Sequence, residues 1–161
     1  MSLLRHSAKD KHITIAFSSP ERELTLEVDR NEIKQVILNL VRNSFEAMPD
    51  GGGIRIETER CTDELGRPCA SIVFTDTGPG IPDANLGNIF MPFYSTRKGK
   101  GDHVGLGLSI CYGIVKRHEG TMSVRNLERR GCQFTIRLPV AQQKPPADPP
   151  RGDRGAAIRG L

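Results

Sequence analysis

A chain of 161 residues, 37% hydrophobic and 26% charged, has the size and balance of one globular domain with a sizeable core. It carries no run of about 18 apolar residues and no basic-then-apolar start, which excludes a transmembrane helix and a secretory signal and makes the cytoplasm the expected location, with no membrane contact. The net charge of +4 divides evenly between residues 1–140 and 141–161, and aromatics make up 5% with no Trp, so neither a phosphate-backbone footprint nor a base-stacking platform is indicated and no nucleic-acid partner is expected.

In chain order, residues 1–10 read as a linker remnant. The alternating segments His12–Phe17 and Leu24–Val28 predict two strands, with a turn at Ser18–Arg22 containing Pro20. Asp29 suits an N-cap, and Glu32 three residues on completes a capping-box pattern. Ile33, Val36, Ile37, Leu40, Val41 and Phe45 then recur at helical spacing, predicting an amphipathic helix stopped by Pro49 and the run Asp50–Gly53. Strands follow near Ile54–Arg60 and Ala70–Thr75, joined by a polar hairpin loop. The Gly-rich stretch 76–104 is irregular except for a short helix near Asp83–Ile89. A second long helix is predicted over Gly105–His118, with Leu106, Ile110, Ile114 and Val115 as its apolar face, and strands Thr121–Asn126 and Cys132–Leu138 close the domain. Strands joined mainly by turns, with two long helices, make an α+β two-layer sandwich over residues 11–140. Residues 141–161, rich in Pro, Gly and Arg, have the composition of a disordered tail. Cys61, Cys69, Cys111 and Cys132 show no metal-ligand spacing and are expected to be reduced thiols.

Four segments carry residues suited to chemistry. Asn39 and Asn43 lie one helical turn apart at the edge of the apolar stripe, where amide oxygens suit a hard cation, although boundary asparagines also occur without ligands. Asp76-Thr77-Gly78-Pro79-Gly80-Ile81 puts a carboxylate at the mouth of an apolar strand beside two glycines. That suits reading an exocyclic amine, and equally a strand-ending Asx turn. Glycines 99, 101, 105 and 107, with Arg97 and Lys98 nearby, run into a helix start and favour bound phosphate. The segment is neither a Walker loop nor a dinucleotide fingerprint. Phe90-Met91-Pro92-Phe93 places two aromatics where they can anchor the base of a loop. No Ser/His/Asp or Cys/His arrangement stands out, and His118 reads as a surface residue suited to a helix end.

The order of the four is more telling than any one of them. NLVRNSFEAM, DTGPGI, FMPFYSTRKGKG and GLGLSICYGIVKRHEG resemble the N, G1, F and G2 boxes of sensor histidine kinase ATP-binding domains. These belong to the gyrase, heat-shock-ninety, histidine kinase and mismatch-repair ATPase superfamily. The wording is most similar to the nitrogen-regulation branch, and the resemblance covers about residues 10–140. It implies a Bergerat-type fold, with helices over one face of a mixed sheet and ATP held between helices and a mobile lid at 94–104. It further implies that Asn43 coordinates Mg²⁺ and Asn39 helps to hold the metal and phosphate. Asp76 would accept from the adenine amino group, with Gly78, Gly80 and Ile81 at the base pocket. Thr96, Arg97 and Lys98 would approach the phosphates, Arg97 with a catalytic role, and Gly105, Leu106, Gly107 and Leu108 would present helix amides to them.

The partner implied is a histidine-containing dimerisation domain and, through it, a response regulator. His6 lies in no helical hairpin, so the chain reads as an excised or stand-alone catalytic domain. ATP-hydrolysing members carry a glutamate one turn before the metal-binding Asn. The amide of Asn39 cannot act as that base, so the resemblance implies γ-phosphoryl transfer rather than hydrolysis. Two other readings stay open: a serine kinase of the anti-sigma-factor type, and a nucleotide-sensing module without catalysis.

Overall fold

In the computed structural model the described residues are 12–19, 26–95 and 105–140. The expectations for residues 1–10 and 141–161, the greater part of the 94–104 segment, and Leu24 and Thr25 lie outside them. The element order is β1 (Ile13–Ser18), α1 (Arg30–Ala47), β2 (Gly52–Thr62), β3 (Pro68–Asp76), α2 (Asp83–Leu86), α3 (Gly107–Arg117), β4 (Thr121–Asn126) and β5 (Cys132–Pro139). The strands form one mixed sheet in the order β1-β2-β3-β5-β4, with β1 parallel to β2 and all other pairs antiparallel. This is the α+β architecture expected from the sequence.

Period-two burial explains the layers. Ile54 and Ile56 of β2, Phe74 of β3, and Phe134, Ile136 and Leu138 of β5 all turn to one face. There they meet Val36, Leu40, Val41 and Phe45 of α1 and Cys111, Ile114 and Val115 of α3 in a single buried cluster. Phe74 is fully buried at its centre, and emptying such a site costs about 3–5 kcal/mol. The α3 face differs from expectation in one respect: Cys111 is buried where Ile110 was expected, and Ile110 is exposed.

Four readings are corrected. Leu26–Val28 is not a strand, although Leu26 and Val28 do pack against the core. Alternation records burial there, not ladder pairing, and the chain has to turn into the α1 cap. Asp29 caps α1 as expected, its Oδ1 accepting from the amides of Asn31 (2.7 Å) and Glu32 (3.1 Å), which hold its carboxyl below the usual range. The capping box does not close, however. The Asp29 amide donates to His118 Nε2 at 3.0 Å, while Glu32 pairs with Arg117 at 2.6 Å. His118 is thus no surface residue but a tie between the start of α1 and the end of α3. With Nε2 accepting, its proton sits on Nδ1, 2.9 Å from the Ile114 carbonyl. Finally, Cys61 and Cys69 are not free thiols: they stand directly opposite in the β2–β3 register and form a disulfide, leaving Cys111 and Cys132 free and buried.

Candidate functional site

A cleft of about 450 Å³ opens between α1, the ends of β3 and β5, the segment after β3 and the start of α3. That volume lies in the range of small-molecule sites. Of the residues singled out in the sequence, Asn39, Asn43, Asp76, Gly80, Ile81, Gly105, Leu106, Gly107 and Leu108 line it together. Thr96, Arg97 and Lys98 lie outside the described residues.

One end of the cleft is built around Asp76, the last residue of β3. Core packing of Phe74 two residues earlier fixes the strand, and the pleat turns Asp76 to the same inner face, 4% exposed. Its Oδ1 accepts from the Gly78 amide at 2.9 Å and the Cys132 amide at 3.4 Å. Its Oδ2 accepts from Ser44 Oγ at 3.0 Å and from the Cys132 thiol at 3.2 Å. The Asx turn anticipated as an alternative is therefore present, as one part of a larger buried network. Burial, reinforced by the neighbouring Asp76 charge and hydrogen bond, pushes the Cys132 thiol well above its ordinary value, so it stays protonated and donates. A carboxylate offers about four acceptor positions. Ser44 and Gly78 hold two firmly and the longer Cys132 contacts hold two weakly, so an incoming amine would share or displace a Cys132 contact.

The loop that follows has no regular structure and is tied down by side chains. Thr77 pairs with Gly53 through its amide (3.1 Å to the Gly53 carbonyl) and its hydroxyl (2.9 Å from the Gly53 amide). Gly78 does not line the cleft: its amide closes the turn, and a Cβ there would sit 3.0 Å from Asp76 Oδ1. Ile81 is gripped by Asn126, whose Oδ1 accepts from its amide at 2.9 Å and whose Nδ2 donates to its carbonyl at 2.6 Å.

At the other end, Asn39 and Asn43 are half-buried on the cleft side of α1, at the margin of the stripe as their spacing required. Asn39 Nδ2 donates to the Gly107 carbonyl at 3.4 Å, Asn39 also hydrogen-bonds Cys111, and no donor to its oxygen stands among the described residues. Asn43 has no hydrogen-bond partner among the described residues, and its Oδ1 lies 3.9 Å from where a Gly107 Cβ would be. Helix α3 starts at Gly107 after Leu106, and among the described residues no side chain caps it, so its first amides lack the usual satisfaction there. Gly105 has φ +69°, and a Cβ there would meet the backbone of Phe93 and Tyr94 at 2.8 Å. Glycine is required at that point because the two strands of chain press together. Tyr94 is fixed in turn by its hydroxyl donating to Asn85 Oδ1 at 2.7 Å. Only one aromatic of Phe90-Met91-Pro92-Phe93 anchors the segment: Phe90 packs on Tyr112, with ring centroids 5.2 Å apart, whereas Phe93 is 71% exposed.

Ser44, Cys132 and Asn126 were not anticipated. Each was legible in part, as a polar or thiol side chain at a core-facing position of an apolar pattern, but nothing in the sequence says which distant carboxylate or peptide it meets.

The family described as histidine kinase-, DNA gyrase B- and HSP90-like ATPase matches residues 28–142. The chain belongs to this ATPase family. Among curated relatives, the hybrid signal transduction histidine kinase D of Dictyostelium discoideum is 37% identical over 139 residues, and the sensor histidine kinase ZraS of Salmonella typhimurium is 34% identical over 140. These alignments take in 83% and 87% of this chain but only 9% and 29% of those proteins, so the chain corresponds to a small part of each. The solved catalytic domain of histidine kinase ThkA superposes with a TM-score of 0.73 at 33% identity, covering 86% of each chain. ThkA has also been solved in complex with the response regulator TrrA; that chain matches with a TM-score of 0.69 at 32% identity, over 86% of this chain and 37% of its own. The ATPase family and its kinase members thus fit a fold and a cleft already evident from the residues. Among the described residues no helix is long and apolar enough to cross a membrane.

Proposed function

We propose that this ATPase-family chain is the cytoplasmic, ATP-binding catalytic domain of a sensor histidine kinase. It would pass the γ-phosphoryl group of ATP to a histidine on a dimerisation domain, from which a response regulator receives it. The motif wording PFYSTRK and RNSFEAM supports the nitrogen-regulation branch as its nearest relation. The observation that carries the reading is the division of one cleft between an anchored buried carboxylate and, across from it, two amide side chains beside an uncapped helix start.

The residues present fit Mg²⁺-ATP. Asp76 would read the adenine amino group, with Gly80 and Ile81 at the base and Gly78 holding the turn. The free α3 amides of Gly107 and Leu108, following Gly105 and Leu106, suit phosphate oxygens. The oxygens of Asn43 and Asn39 suit a hard cation, with Asn43 as its direct ligand. When bound, Mg²⁺ neutralises charge on the phosphates. The chain's own groups bind, align and exclude water. Thr96, Arg97 and Lys98 would complete the phosphate side, with Arg97 touching the transferred group. Asn39, an amide, cannot take a proton from water, so the site favours a nucleophile that needs no base there, as a neutral imidazole does.

The test is a γ-labelled ATP assay with the chain alone and with a dimerisation domain added. Acid-labile label on that domain, and slow phosphate release by the chain alone, are expected. Stable label on a serine of the chain, or rapid turnover without the added domain, would overturn the proposal.

A further inference from the structure

We infer that Asn126, outside all four sequence motifs, is a positioning residue for nucleotide binding, acting through the peptide of Ile81. This rests on the proposed ATP-binding reading of the same cleft.

The side chains of β4 alternate, with Met122 buried, Val124 half-buried and Asn126 next on that inner face. An amide thus stands where the pattern calls for an apolar residue, at the strand end nearest the cleft. Its partner is the backbone of one residue, met on both sides: Oδ1 accepts from the Ile81 amide at 2.9 Å and Nδ2 donates to the Ile81 carbonyl at 2.6 Å. This is the pairing a neighbouring strand would give, supplied by a side chain to a segment that belongs to no strand. A third contact, Nδ2 to Asp83 Oδ1 at 3.1 Å, fixes the amide's orientation.

The fit is close on both sides. Gly80 has φ +80°, and a Cβ there would lie 2.9 Å from Asn126 Oδ1, so the loop can seat on Asn126 only with glycine at that position. Across the same hairpin end, on β5 where Cys132 pairs with Asn126, a Cβ on Gly131 would overlap the Asp76 carbonyl oxygen, and Cys132 contacts the Asp76 carboxylate. The β4–β5 hairpin therefore holds both ends of the segment Asp76–Ile81, through Cys132 at one end and Asn126 at the other. Gly80 and Ile81 line the cleft and Asn126 does not. Its influence on a ligand is consequently indirect, through where it holds the wall at the base end.

Two signatures separate this from general stabilisation. Loss of the clamp loosens the wall near the base, which ATP and ADP share, so both should weaken by the same factor. The Ile81 amide, freed from its acceptor, should also exchange faster with solvent. Val124→Ala serves as control, because it weakens the packing of β4 against the core and removes neither Asn126–Ile81 hydrogen bond.

The experiment is calorimetric titration of the full chain with Mg²⁺-ADP and a non-hydrolysable Mg²⁺-ATP analogue, well below the melting temperature, with amide exchange read at Ile81. Asn126→Ala is expected to raise both dissociation constants by about tenfold, the equivalent of roughly two lost hydrogen bonds. The isosteric Asn126→Asp, which keeps the acceptor and loses the donor, should raise both by at least about threefold. Val124→Ala should leave them within about twofold of wild type. Unchanged affinity in both Asn126 variants, or equal weakening in Val124→Ala, would overturn the inference while leaving the function standing. A wild-type chain that binds neither nucleotide would overturn the function, and this inference with it.

Discussion

The two ends of the cleft are built on opposite plans. Around Asp76 every strong polar group already has a partner inside the protein: Ser44, Gly78 and Cys132 on the carboxylate, Gly53 on Thr77, Asn126 on Ile81. Around Asn43, among the described residues, polar groups are left over: the Asn43 amide, the Asn39 oxygen and the helix start after Leu106. The first end is complete without a ligand and therefore rigid. The second is unsatisfied by the described residues and gains most from a charged guest. The proposed ligand, a flat neutral base to be held in one orientation and a mobile polyanion with its cation, gives a reason for this division.

The largest expected effect comes from breaking the complete end. Asp76→Asn turns an acceptor oxygen into a donor amid the Ser44, Gly78 and Cys132 donors. It should cost about 2–4 kcal/mol in nucleotide binding, some 30-fold or more by calorimetry, and should lower the melting temperature as well. Breaking the unsatisfied end should separate those two readouts. Asn43→Ala removes the oxygen proposed to bind the cation, which has no partner among the described residues, so phosphotransfer should disappear while stability changes by no more than about 0.5 kcal/mol in thermal unfolding. Ser44→Ala sharpens the contrast: losing one of the Asp76 donors should cost about 1 kcal/mol, visible as roughly fivefold weaker ATP binding without loss of the fold.

Smaller still are the titration effects. The two free thiols are buried, one behind each end: burial raises Cys111 to about 11 despite its hydrogen bond with Asn39, and raises Cys132 further with Asp76 beside it. Since the reactive form is the thiolate, both should resist alkylation at pH 8 in the native protein and react in denaturant, as mass spectrometry would show. At the far end of α1, the Asp29 carboxyl is held below its usual value by the amides it caps. A lowered native value stabilises the fold above the ordinary carboxylate range, and the gain is lost as pH falls through the native value. Asp29→Ala should therefore unfold more easily near neutrality, with the difference from wild type shrinking toward strongly acid pH in circular dichroism titrations.

How far the sequence revealed this differs along the chain. Helix α1, the Asp29 cap and strands β4 and β5 were legible because their apolar periods are long and their stops are strong. The cleft-lining set was legible because Asn39, Asn43, Asp76 and Gly107 sit in ordered motifs. What was not legible is pairing at a distance. Nothing in Glu32 tells that His118, 86 residues later, takes over the Asp29 amide, nor in Cys61 that the β2–β3 register brings Cys69 opposite. Leu26 and Val28 misled because burial without a ladder leaves the same alternation as a strand. Ser44 and Asn126 were hidden by the opposite cause: they interrupt apolar patterns, and such a position reads as noise until its partner is known.

The most direct test of the division between the two ends is a crystal structure of the chain with Mg²⁺ and a non-hydrolysable ATP analogue. It should show the adenine amino group within hydrogen-bonding distance of the Asp76 carboxylate, the phosphates at the start of α3 and the metal on Asn43, with the Asp76–Ile81 backbone unmoved. A nucleotide bound with its phosphates toward Asp76, or a base-end wall that has to rearrange to admit the adenine, would contradict it.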